Sequence, residues 1–584
     1  MKVFRLTCLK PYFWLVLLCL AIYLPGIATL PVLDRDSSHF AQATRQMLET
    51  GNYFQIRYQD ITRYQKPPGI NWLQALSVKA FSSSESNKIW PYRIPSLIGG
   101  CLSVLLTFAF ARRFYQKETA FLAAALLACT LLLSIESHLA VIDASLLSSV
   151  VLMQGALWLI YKNSFNNTLT SLRGVEQRSN PDHSSPNTPS ELDCSKYVHW
   201  KWPALFFASM AYGILLKGVT PLVGFLTILA LCLKDRKWLK NLHLLWGITF
   251  LIIFTAAWLI GVSIAENSNY LVEMLHRDLL PKLEGGHESH GAPFGTHLFI
   301  LAVTFWPASL FLYPLFIYAW KNRKTSDTAF LLAWIIPTWL FFELMPTKLP
   351  QYILPVFPAL AILASASIMQ WTTLATNVHK TIFRTLSILW LIVSAGLACA
   401  FIVIPYYLQN VVSYLSLWIS AIIILFSTAA VVFIFKQSLK KSAYCLILGS
   451  LLSFSPAYHF LLPGLTPLWP SQTIAAELKT FISSEINDSH PLLSLGFEEP
   501  SLVFMLGTHR VKFIEPNKLF NEMKQNRRSW VLVDDRNQTF FLEGAKARGI
   551  SLSPVKTIRA FNYSKGRWIT LVLYSTDFKV RGRH

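Results

Sequence analysis

A series of about thirteen apolar windows constrains this chain more than any other feature of its sequence. A helix needs about 20 apolar residues to cross a bilayer, and most of these windows approach that length. Charged residues make up 14% of the chain, whereas a soluble globular protein carries about 25%. We therefore predict a polytopic α-helical membrane protein with about 13 transmembrane helices. The windows lie near residues 12–32, 93–111, 118–134, 138–161, 203–217, 219–233, 243–264, 297–319, 328–345, 352–370, 383–405, 413–435 and 443–462.

The distribution of basic residues predicts the orientation of these helices. Clusters of Lys and Arg follow the second, sixth, eighth and twelfth windows, which places all of them on one side of the membrane. Short cytoplasmic loops carry such an excess, so the N-terminus is predicted to be cytoplasmic and the C-terminus to face outward. The first window is interpreted as an uncleaved helix, because no small-residue cleavage site follows it. The same bias accounts for the formal net charge of +21, and no nucleic-acid-binding motif accompanies that charge.

The hydropathy changes near residue 462, which divides the chain into two predicted domains. Residues 1–462 form a transmembrane domain with a first outer loop at 33–92. They include a Ser-, Asn- and Pro-rich insert at 163–199, which is predicted to be cytoplasmic and disordered. Residues 463–584 alternate strand-like and helical stretches, which is typical of a soluble α/β accessory domain. We predict strands at Pro491–Leu495, Ser529–Val533 and Trp568–Tyr574, and helices at Thr473–Ile482 and Lys518–Gln525.

Three lysines lie in short outer segments, against the general bias of basic residues toward the cytoplasm. They are Lys66 in YQKPPG, Lys217 in LLKGVTP and Lys348 in MPTKLPQY, and each is close to Pro or Gly, which favours a turn. Three ammonium groups that converge near the outer interface would bind a phosphate or pyrophosphate. Alternatively, each lysine extends to the lipid headgroups. Arg57 and Arg63 either join the phosphate site or are solvated loop charges.

Three aspartates are the candidate catalytic groups. Asp34 and Asp36 follow the first window with one residue between them, so they face the same way on an extended chain and diverge on a helix. Each is a candidate general base or metal ligand, and the alternative is a solvated pair before the segment that begins at Ser37. Asp143 lies near the start of the fourth window, where an unpaired carboxylate is costly. Asp143 is therefore predicted to be functional or to pair with a cation.

A glycine-rich loop at residues 277–296 contains His287, Glu288 and His290. The two histidines are not spaced by four residues, so the loop does not match a zinc-protease helix motif. We predict a flexible segment that contacts the substrate. A divalent metal bound by these three residues is the alternative that the sequence leaves open, and no other cofactor is indicated.

Six segments resemble, in their order along the chain, the bacterial branch of the protein O-mannosyltransferase superfamily. The most similar members are the lipid A 4-amino-4-deoxy-L-arabinose transferases and related glycosyltransferases that use polyprenyl-phosphate sugars. This resemblance implies a GT-C fold, an undecaprenyl-phosphate sugar donor and inversion at the anomeric carbon. The segments are DRDSSHFAQATRQMLETGNY, RYQKPPGINWLQALS, the IDA stretch at Ile142–Ala144, LLKG, GGHESHGAPFGTHL and PTKLPQYILPVFPALA.

The resemblance also implies roles for individual residues. Asp36 is similar to the acid of the family's first outer loop and is implied to be the catalytic base or its orienting group. Lys66 in the Lys-Pro-Pro turn is implied to bind the donor phosphate. Asp143, Lys217 and Lys348 are similar to the second acid, the Lys-Gly element and the Lys-Leu-Pro element. Further substrate-binding candidates in these segments are His39, Tyr64, His290 and Tyr352.

Two positions depart from the pattern of the aminoarabinose transferases. Where these enzymes typically have Asp-Glu-Pro-Arg-Tyr, this chain has a run that ends in His39 and Phe40. Gln65 stands where an acid usually precedes Lys-Pro-Pro. Glycosyl transfer remains the implied reaction, whereas features expected for an aminoarabinose donor and for a bound zinc are missing.

These observations predict a glycosyltransferase, for a hexose or a pentose, in the bacterial inner membrane. It moves one sugar from an undecaprenyl-phosphate donor to lipid A, lipopolysaccharide or another envelope acceptor at the periplasmic face. The three lysines stabilise the leaving phosphate, and Asp36 acts on the acceptor side. The alternatives are a surface-polysaccharide ligase or polymerase, a protein O-glycosyltransferase, and a flippase for lipid-linked sugars. The predicted partners are these lipids and the surrounding membrane lipids, without nucleic acid.

Overall fold

The computed structural model describes residues 2–63, 66–178, 200–267, 269–276, 280, 291–479, 485–524 and 528–578. A bundle of apolar helices is followed by an α/β unit, and an ordered loop lies between the first two spans. The first nine helices are Lys2–Tyr23 (α1), Asp36–Thr50 (α2), Gly69–Phe81 (α3), Trp90–Ala111 (α4), Lys117–Ala128 (α5), Leu131–His138 (α6), Asp143–Arg178 (α7), Lys201–Leu216 (α8) and Thr220–Cys232 (α9). The later helices of the membrane region are Leu244–Glu266, Tyr270–Met274, Thr296–Thr304, Leu312–Asn322, Ser326–Leu344, Phe357–Leu374, Asn377–Gln409, Tyr414–Phe435 and Leu439–Pro456.

The described helices form a multi-pass membrane fold. By length and hydropathy, eight of them can cross a membrane, and the number rises to ten when two bent pairs each count as one span. Three shorter apolar helices, Lys10–Tyr23, Lys201–Leu216 and Thr220–Cys232, occupy the remaining predicted windows. Every window predicted from the sequence therefore coincides with an apolar helix, and the prediction of a polytopic helical membrane protein is confirmed.

Two spans are broken, and their breaks are hydrogen-bonded to each other. Helices α5 and α6 meet at an angle of 59°, and Thr296–Thr304 meets Ala308–Asn322 at 117°. The amide of Leu131, the first residue of α6, donates to the carbonyl of Trp306 at 2.9 Å. The first amides of a helix have no partner within it, and hydrocarbon offers none. Each break therefore supplies a partner that the other lacks.

The prediction of a disordered insert is wrong in its first part. Helix α7 runs to Arg178, so residues 163–178 continue the helical backbone. No proline occurs between Asp143 and Pro181, and a helix that a membrane span has already nucleated can propagate through polar residues. Residues 179–199 lie outside the described part of the chain.

The first outer loop is an ordered unit. Helices α2 and α3 pack together, and two short antiparallel strands, Arg57–Tyr58 (β1) and Ile61–Thr62 (β2), connect them. The hydroxyl of Thr44 donates to Gln74 at 2.7 Å and accepts from the amide of Asn71 at 2.9 Å. All three side chains are buried, so these bonds fix the two helices against each other.

The C-terminal region contains a five-stranded mixed sheet, which confirms the predicted α/β fold. The strand order is β4-β3-β5-β7-β6; β3 pairs in parallel with β4 and β5, and β7 pairs antiparallel with β5 and β6. The strands are Leu492–Leu495 (β3), Val511–Phe513 (β4), Arg528–Asp534 (β5), Ile550–Asn562 (β6) and Arg567–Phe578 (β7). The helices are Pro470–Leu478, Pro500–Leu506, Pro516–Lys524 and Gln538–Ala547.

The outer loop is docked onto this sheet unit. The Arg45 guanidinium on α2 donates to the carbonyl of Phe504 at 2.8 Å. The hydroxyl of Thr508 donates to the carboxylate of Glu49 at 2.6 Å. Tyr58 joins the apolar core that lies on one face of the sheet. The loop is thus held between the membrane helices and the C-terminal unit.

One buried arginine fixes the start of the outer loop. The Arg93 side chain on α4 has no exposed surface, and its guanidinium donates to the carbonyls of Ile27, Leu30 and Pro31 at 2.9, 2.7 and 2.6 Å. These three carbonyls belong to the turns that follow α1. A charged side chain in this position therefore closes the hydrogen bonds of a segment that has left the helix.

We expect Arg93→Met to lower the stability of the protein strongly. The substitution leaves three buried carbonyls without a donor, and each such group costs about 1–3 kcal/mol. Thermal unfolding of the purified protein in detergent measures the effect. Arg112→Met, at the exposed C-terminal end of the same helix, is the matched control and should unfold like the wild type. Equal unfolding temperatures for the two variants would contradict this account of Arg93.

Candidate functional site

An ion pair between two helix ends forms the centre of the candidate site. Asp143 is the first residue of α7, and Lys217 occupies the short break between α8 and α9. The Lys217 ammonium lies 3.0 Å from the Asp143 carboxylate, and both side chains are largely buried. The break itself is fixed by Thr220, whose hydroxyl donates to the carbonyls of Lys217 and Gly213. The pairing expected for an acid in this position is therefore present.

An aromatic ring completes the surroundings of Lys217. The ammonium lies 5.0 Å from the centre of the Tyr352 ring, within the range of a cation–π contact. Burial acts to lower the pKa of Lys217, but the attraction of Asp143, Tyr352 and Glu136 outweighs it and raises the pKa above the ordinary value. Lys217 is consequently a permanent cation near the outer ends of the helices.

Glu136 is a third acid of the site that the sequence analysis missed. Its side chain is 6% exposed near the end of α6 and interacts electrostatically with Asp143, Lys217 and Asp36. Two apolar windows were predicted at 118–134 and 138–161, and Glu136 fell in the gap between them. The signal that could have revealed it is a carboxylate seven residues before Asp143 within an apolar stretch.

Asp36 faces this acidic group from the outer loop. It is the first residue of α2, and its side chain is exposed. The next residue fixes its place, because the Ser37 hydroxyl accepts a hydrogen bond from the amide of Ala140, in the turn that leads to Asp143. We name Asp36, Glu136, Asp143, Lys217 and Tyr352 the outer cluster.

The Lys-Pro-Pro turn packs beside the break that carries Lys217. A Cβ atom on Gly69 would lie 2.5 Å from the carbonyl oxygen of Leu215, so this glycine permits close contact between the start of α3 and the end of α8. The Tyr270 hydroxyl donates to the carbonyl of Lys66 at 2.8 Å and holds the turn. Lys66 and Lys217 thus belong to segments in direct contact.

Lys348 lies on the segment that leads to Tyr352. Its ammonium donates to the carbonyls of Ala292 and Met345 at 3.0 and 2.7 Å. Gly291 forms a β-bridge with Thr347, so the end of the glycine-rich loop is attached to this segment. Lys348 therefore joins two backbone segments in the present conformation, while Tyr352 four residues later contacts Lys217.

A second group of residues lies on the outer loop next to Asp36. The ring of His39 is 4.7 Å from that of Tyr58, and the Arg63 guanidinium lies 5.4 Å from the ring of Phe40. Burial, together with the charge of Arg63, lowers the pKa of His39 to about 3 although Asp36 opposes the shift. His39 is therefore neutral at physiological pH and supplies no charge for binding an anion.

Two predicted residues make their contacts elsewhere. The Arg57 guanidinium is 3.2 Å from the carboxylate of Glu266, which also accepts from the Thr62 hydroxyl at 2.9 Å. Asp34 faces the C-terminal unit, where its amide donates to the Tyr563 hydroxyl at 2.5 Å and its carboxyl group interacts with Ser501. Asp34 and Asp36 thus diverge, because the chain enters α2 between them.

Four predicted residues lie outside the described part of the chain: Tyr64, His287, Glu288 and His290. Within the described ranges, no group of three or more His, Cys, Asp or Glu side chains has the arrangement of a metal site. A divalent metal held by the glycine-rich loop therefore stays a prediction from the sequence.

Sequence comparisons relate the chain to enzymes that act on polyprenyl-linked sugars. The family model described as dolichyl-phosphate-mannose-protein mannosyltransferase matches residues 65–173. The undecaprenyl phosphate-alpha-4-amino-4-deoxy-L-arabinose arabinosyl transferase of Pseudomonas aeruginosa (strain LESB58) is 25% identical over 346 residues, which cover 59% of this chain and 57% of that enzyme. The enzyme of the same name from Erwinia tasmaniensis is 28% identical over 337 residues, with coverage of 56% and 54%. The chain thus matches little more than half the length of these relatives.

A comparison of structures identifies the fold. The crystal structure of ArnT from Cupriavidus metallidurans in the apo state matches with a TM-score of 0.69 at 17% identity, over 96% of this chain and 97% of that one. The same protein bound to undecaprenyl phosphate matches with a TM-score of 0.68 at the same identity and coverage. The predicted resemblance and the predicted GT-C fold are confirmed.

The contacts of Asp34 predict a pH-dependent stability. Burial, with a contribution from Glu499, raises the pKa of this carboxyl group to about 7, although Ser501 and Tyr563 act against the shift. An unfolded aspartate has a pKa near 3.9, so the folded protein binds the extra proton between these values. The stabilisation is therefore complete at low pH and is lost as the pH rises through about 7.

We expect the unfolding temperature of the wild type to fall between pH 6 and pH 8, and Asp34→Asn to reduce this fall. The asparagine cannot ionise, so its burial carries no increasing cost. Scanning calorimetry of the detergent-solubilised protein at several pH values measures the effect. Asp60→Asn, on an exposed residue of the same loop, should keep the wild-type pH dependence. The assignment fails if Asp34→Asn and the wild type have parallel pH profiles.

Proposed function

We propose that this chain is a membrane glycosyltransferase of the bacterial inner membrane. It moves one sugar from an undecaprenyl-phosphate donor to lipid A or lipopolysaccharide at the periplasmic face. The observation that carries the proposal is Lys217, a buried cation held between Asp143 and Tyr352 beside the Lys-Pro-Pro turn. The sequence resemblance to arabinosyl transferases that act on an undecaprenyl phosphate sugar supports it. So does the fold shared with a protein solved with undecaprenyl phosphate bound.

The leaving group of this reaction is a lipid phosphate, whose negative charge grows as the glycosidic bond breaks. Preorganised cations lower the energy of such a transition state, and they are more effective where water is excluded. Lys217 is already charged and oriented by Asp143, so it requires no reorganisation when the charge develops. Lys66, on the adjoining turn, provides a second ammonium group for the same phosphate. Lys348 contributes once the phosphate replaces one of its carbonyl partners.

Asp36 acts on the acceptor side. Its carboxylate is exposed at the start of α2, where an acceptor hydroxyl can reach it. It accepts the proton of that hydroxyl, or it orients an acceptor phosphate that needs no base. Glu136 and Asp143 remain at the buried end of the cluster, and their negative charges keep Lys217 protonated.

The sugar is a hexose or a pentose, and the outer loop bears on the choice. The aminoarabinose transferases typically have an arginine where this chain has His39, and His39 is neutral here. A cation at this position is therefore missing, and Arg63, three residues before Lys66, is the nearest cation of that segment in the sequence. We propose a donor whose sugar differs from aminoarabinose in the groups that this position contacts.

A protein acceptor is the second candidate. The matched family model describes enzymes that transfer mannose from a lipid phosphate to protein, and its range includes Lys66, Glu136 and Asp143. Such an acceptor would present a serine or threonine hydroxyl to Asp36. The lipid-bound part of the mechanism would be the same.

Single substitutions in the outer cluster test the proposal. We expect Lys217→Met and Asp36→Asn to reduce sugar transfer at least about 100-fold, because each removes a charge that acts in the transition state. Mass spectrometry of lipid A and core oligosaccharide from cells with each variant measures the loss of a mass increment of one sugar. Undecaprenyl-linked sugar should accumulate in the same cells.

Lys440→Met is the matched control, because Lys440 is a half-exposed lysine that pairs with Glu118 at 3.0 Å on the predicted cytoplasmic side. It should transfer like the wild type. Unchanged lipopolysaccharide with accumulated donor would favour the protein acceptor. Full activity of both outer-cluster variants would exclude the proposed mechanism.

A further inference from the structure

The residue before Asp36 has an unusual backbone conformation. Arg35 has φ 64° and ψ −129°, a region that glycine adopts easily and other residues rarely do. Its carbonyl accepts from the amide of His39 at 3.0 Å and from the Ser38 hydroxyl at 3.0 Å, so it begins the hydrogen bonding of α2. The conformation of Arg35 therefore sets the direction in which Asp36 enters the helix.

Two contacts from the C-terminal unit hold Arg35 in this conformation. The amide of Asp34 donates to the Tyr563 hydroxyl, and the Arg35 guanidinium donates to the carbonyl of Ser564, both at 2.5 Å. Tyr563 and Ser564 belong to the four-residue turn between β6 and β7. One contact therefore fixes the peptide before Arg35, and the other fixes its side chain.

The turn is itself well anchored. It closes the two longest strands of the sheet, which pair up to Asn562 and Arg567. The Asn562 amide donates to the buried carboxylate of Glu499 at 2.8 Å, and its side-chain oxygen accepts from the amide of Lys565 at 3.0 Å. The sheet thus presents a rigid turn to the outer loop.

The opposite side of α2 is fixed by the membrane helices. The Ser37 hydroxyl accepts from the amide of Ala140, in the turn between α6 and α7. Asp36 consequently lies between a contact to the membrane region and a contact to the sheet unit. A change on either side would rotate its carboxylate relative to Glu136 and Lys217.

We propose that the β6–β7 turn is a positioning element of the active site, in which Tyr563 and Ser564 hold Arg35 in a left-handed conformation that directs Asp36 toward the outer cluster. This inference rests on the proposed function for the role of Asp36. Tyr563 and Arg35 do not touch the reacting groups; they act through the backbone that carries Asp36.

Hydrogen exchange tests the positioning without any assay of activity. We expect Tyr563→Phe, which removes the acceptor of the Asp34 amide, to accelerate exchange in residues 36–42 by about tenfold, because the first turn of α2 opens more often. Tyr574→Phe is the matched control, since its hydroxyl accepts from Gln538 within the same sheet unit at 3.3 Å. Wild-type exchange in Tyr563→Phe would overturn the inference.

A pair of substitutions at Arg35 separates conformation from side-chain contact. Arg35→Ala and Arg35→Gly both lose the bond to Ser564, but only glycine adopts the observed φ and ψ without strain. We expect Arg35→Ala to reduce sugar transfer by about 100-fold and Arg35→Gly to retain most of it, since small displacements of a catalytic group have large effects. Binding of undecaprenyl phosphate to the purified variants should remain at the wild-type level.

The outcomes distinguish this inference from the proposed function. If Arg35→Ala and Arg35→Gly lose transfer equally, the backbone conformation of Arg35 does not position Asp36. If the wild type transfers no sugar, the proposed function fails. The exchange experiment then decides by itself whether the turn holds the start of α2.

Discussion

The structure depends on the placement of an ionised pair where hydrocarbon would otherwise exclude it. Lys217 and Asp143 occupy the ends of different helices, and each compensates the charge of the other. Helix α8 must end at Leu216 and α7 must begin at Asp143 for the two side chains to meet. The segment of Tyr352 then covers the ammonium with an aromatic face. The breaks in the apolar helices are therefore the sites at which charge is admitted.

The outer loop converts these helix ends into an enclosed site. On one side, Ser37 contacts Ala140 and the turn at Gly69 packs on Leu215. On the other side, the loop is bonded to the sheet unit through Arg45 and Asp34. The C-terminal unit, expected to be an accessory domain, thus supports the loop that carries Asp36.

The sequence predicted the features that depend on hydropathy and on local spacing. The apolar windows, the outer lysines and the acid at position 143 were visible, because a charge in an apolar context is a strong signal. Glu136 was missed, since the bend between α5 and α6 blurred the boundary of a window. The divergence of Asp34 from Asp36 was also beyond the sequence, because it depends on contacts with residues more than 500 positions away. The extension of α7 was hidden by polar composition.

The hydrogen bond between the two broken spans has a consequence for the exchange of segments between related proteins. Leu131 and Trp306 belong to segments far apart in the chain, yet each completes the backbone of the other. A chimera that takes one break from a relative with a different bend would leave an amide or a carbonyl unpaired in hydrocarbon. The two segments should therefore be inherited as one unit, and recombination points between them should be tolerated only when both parents share the same geometry.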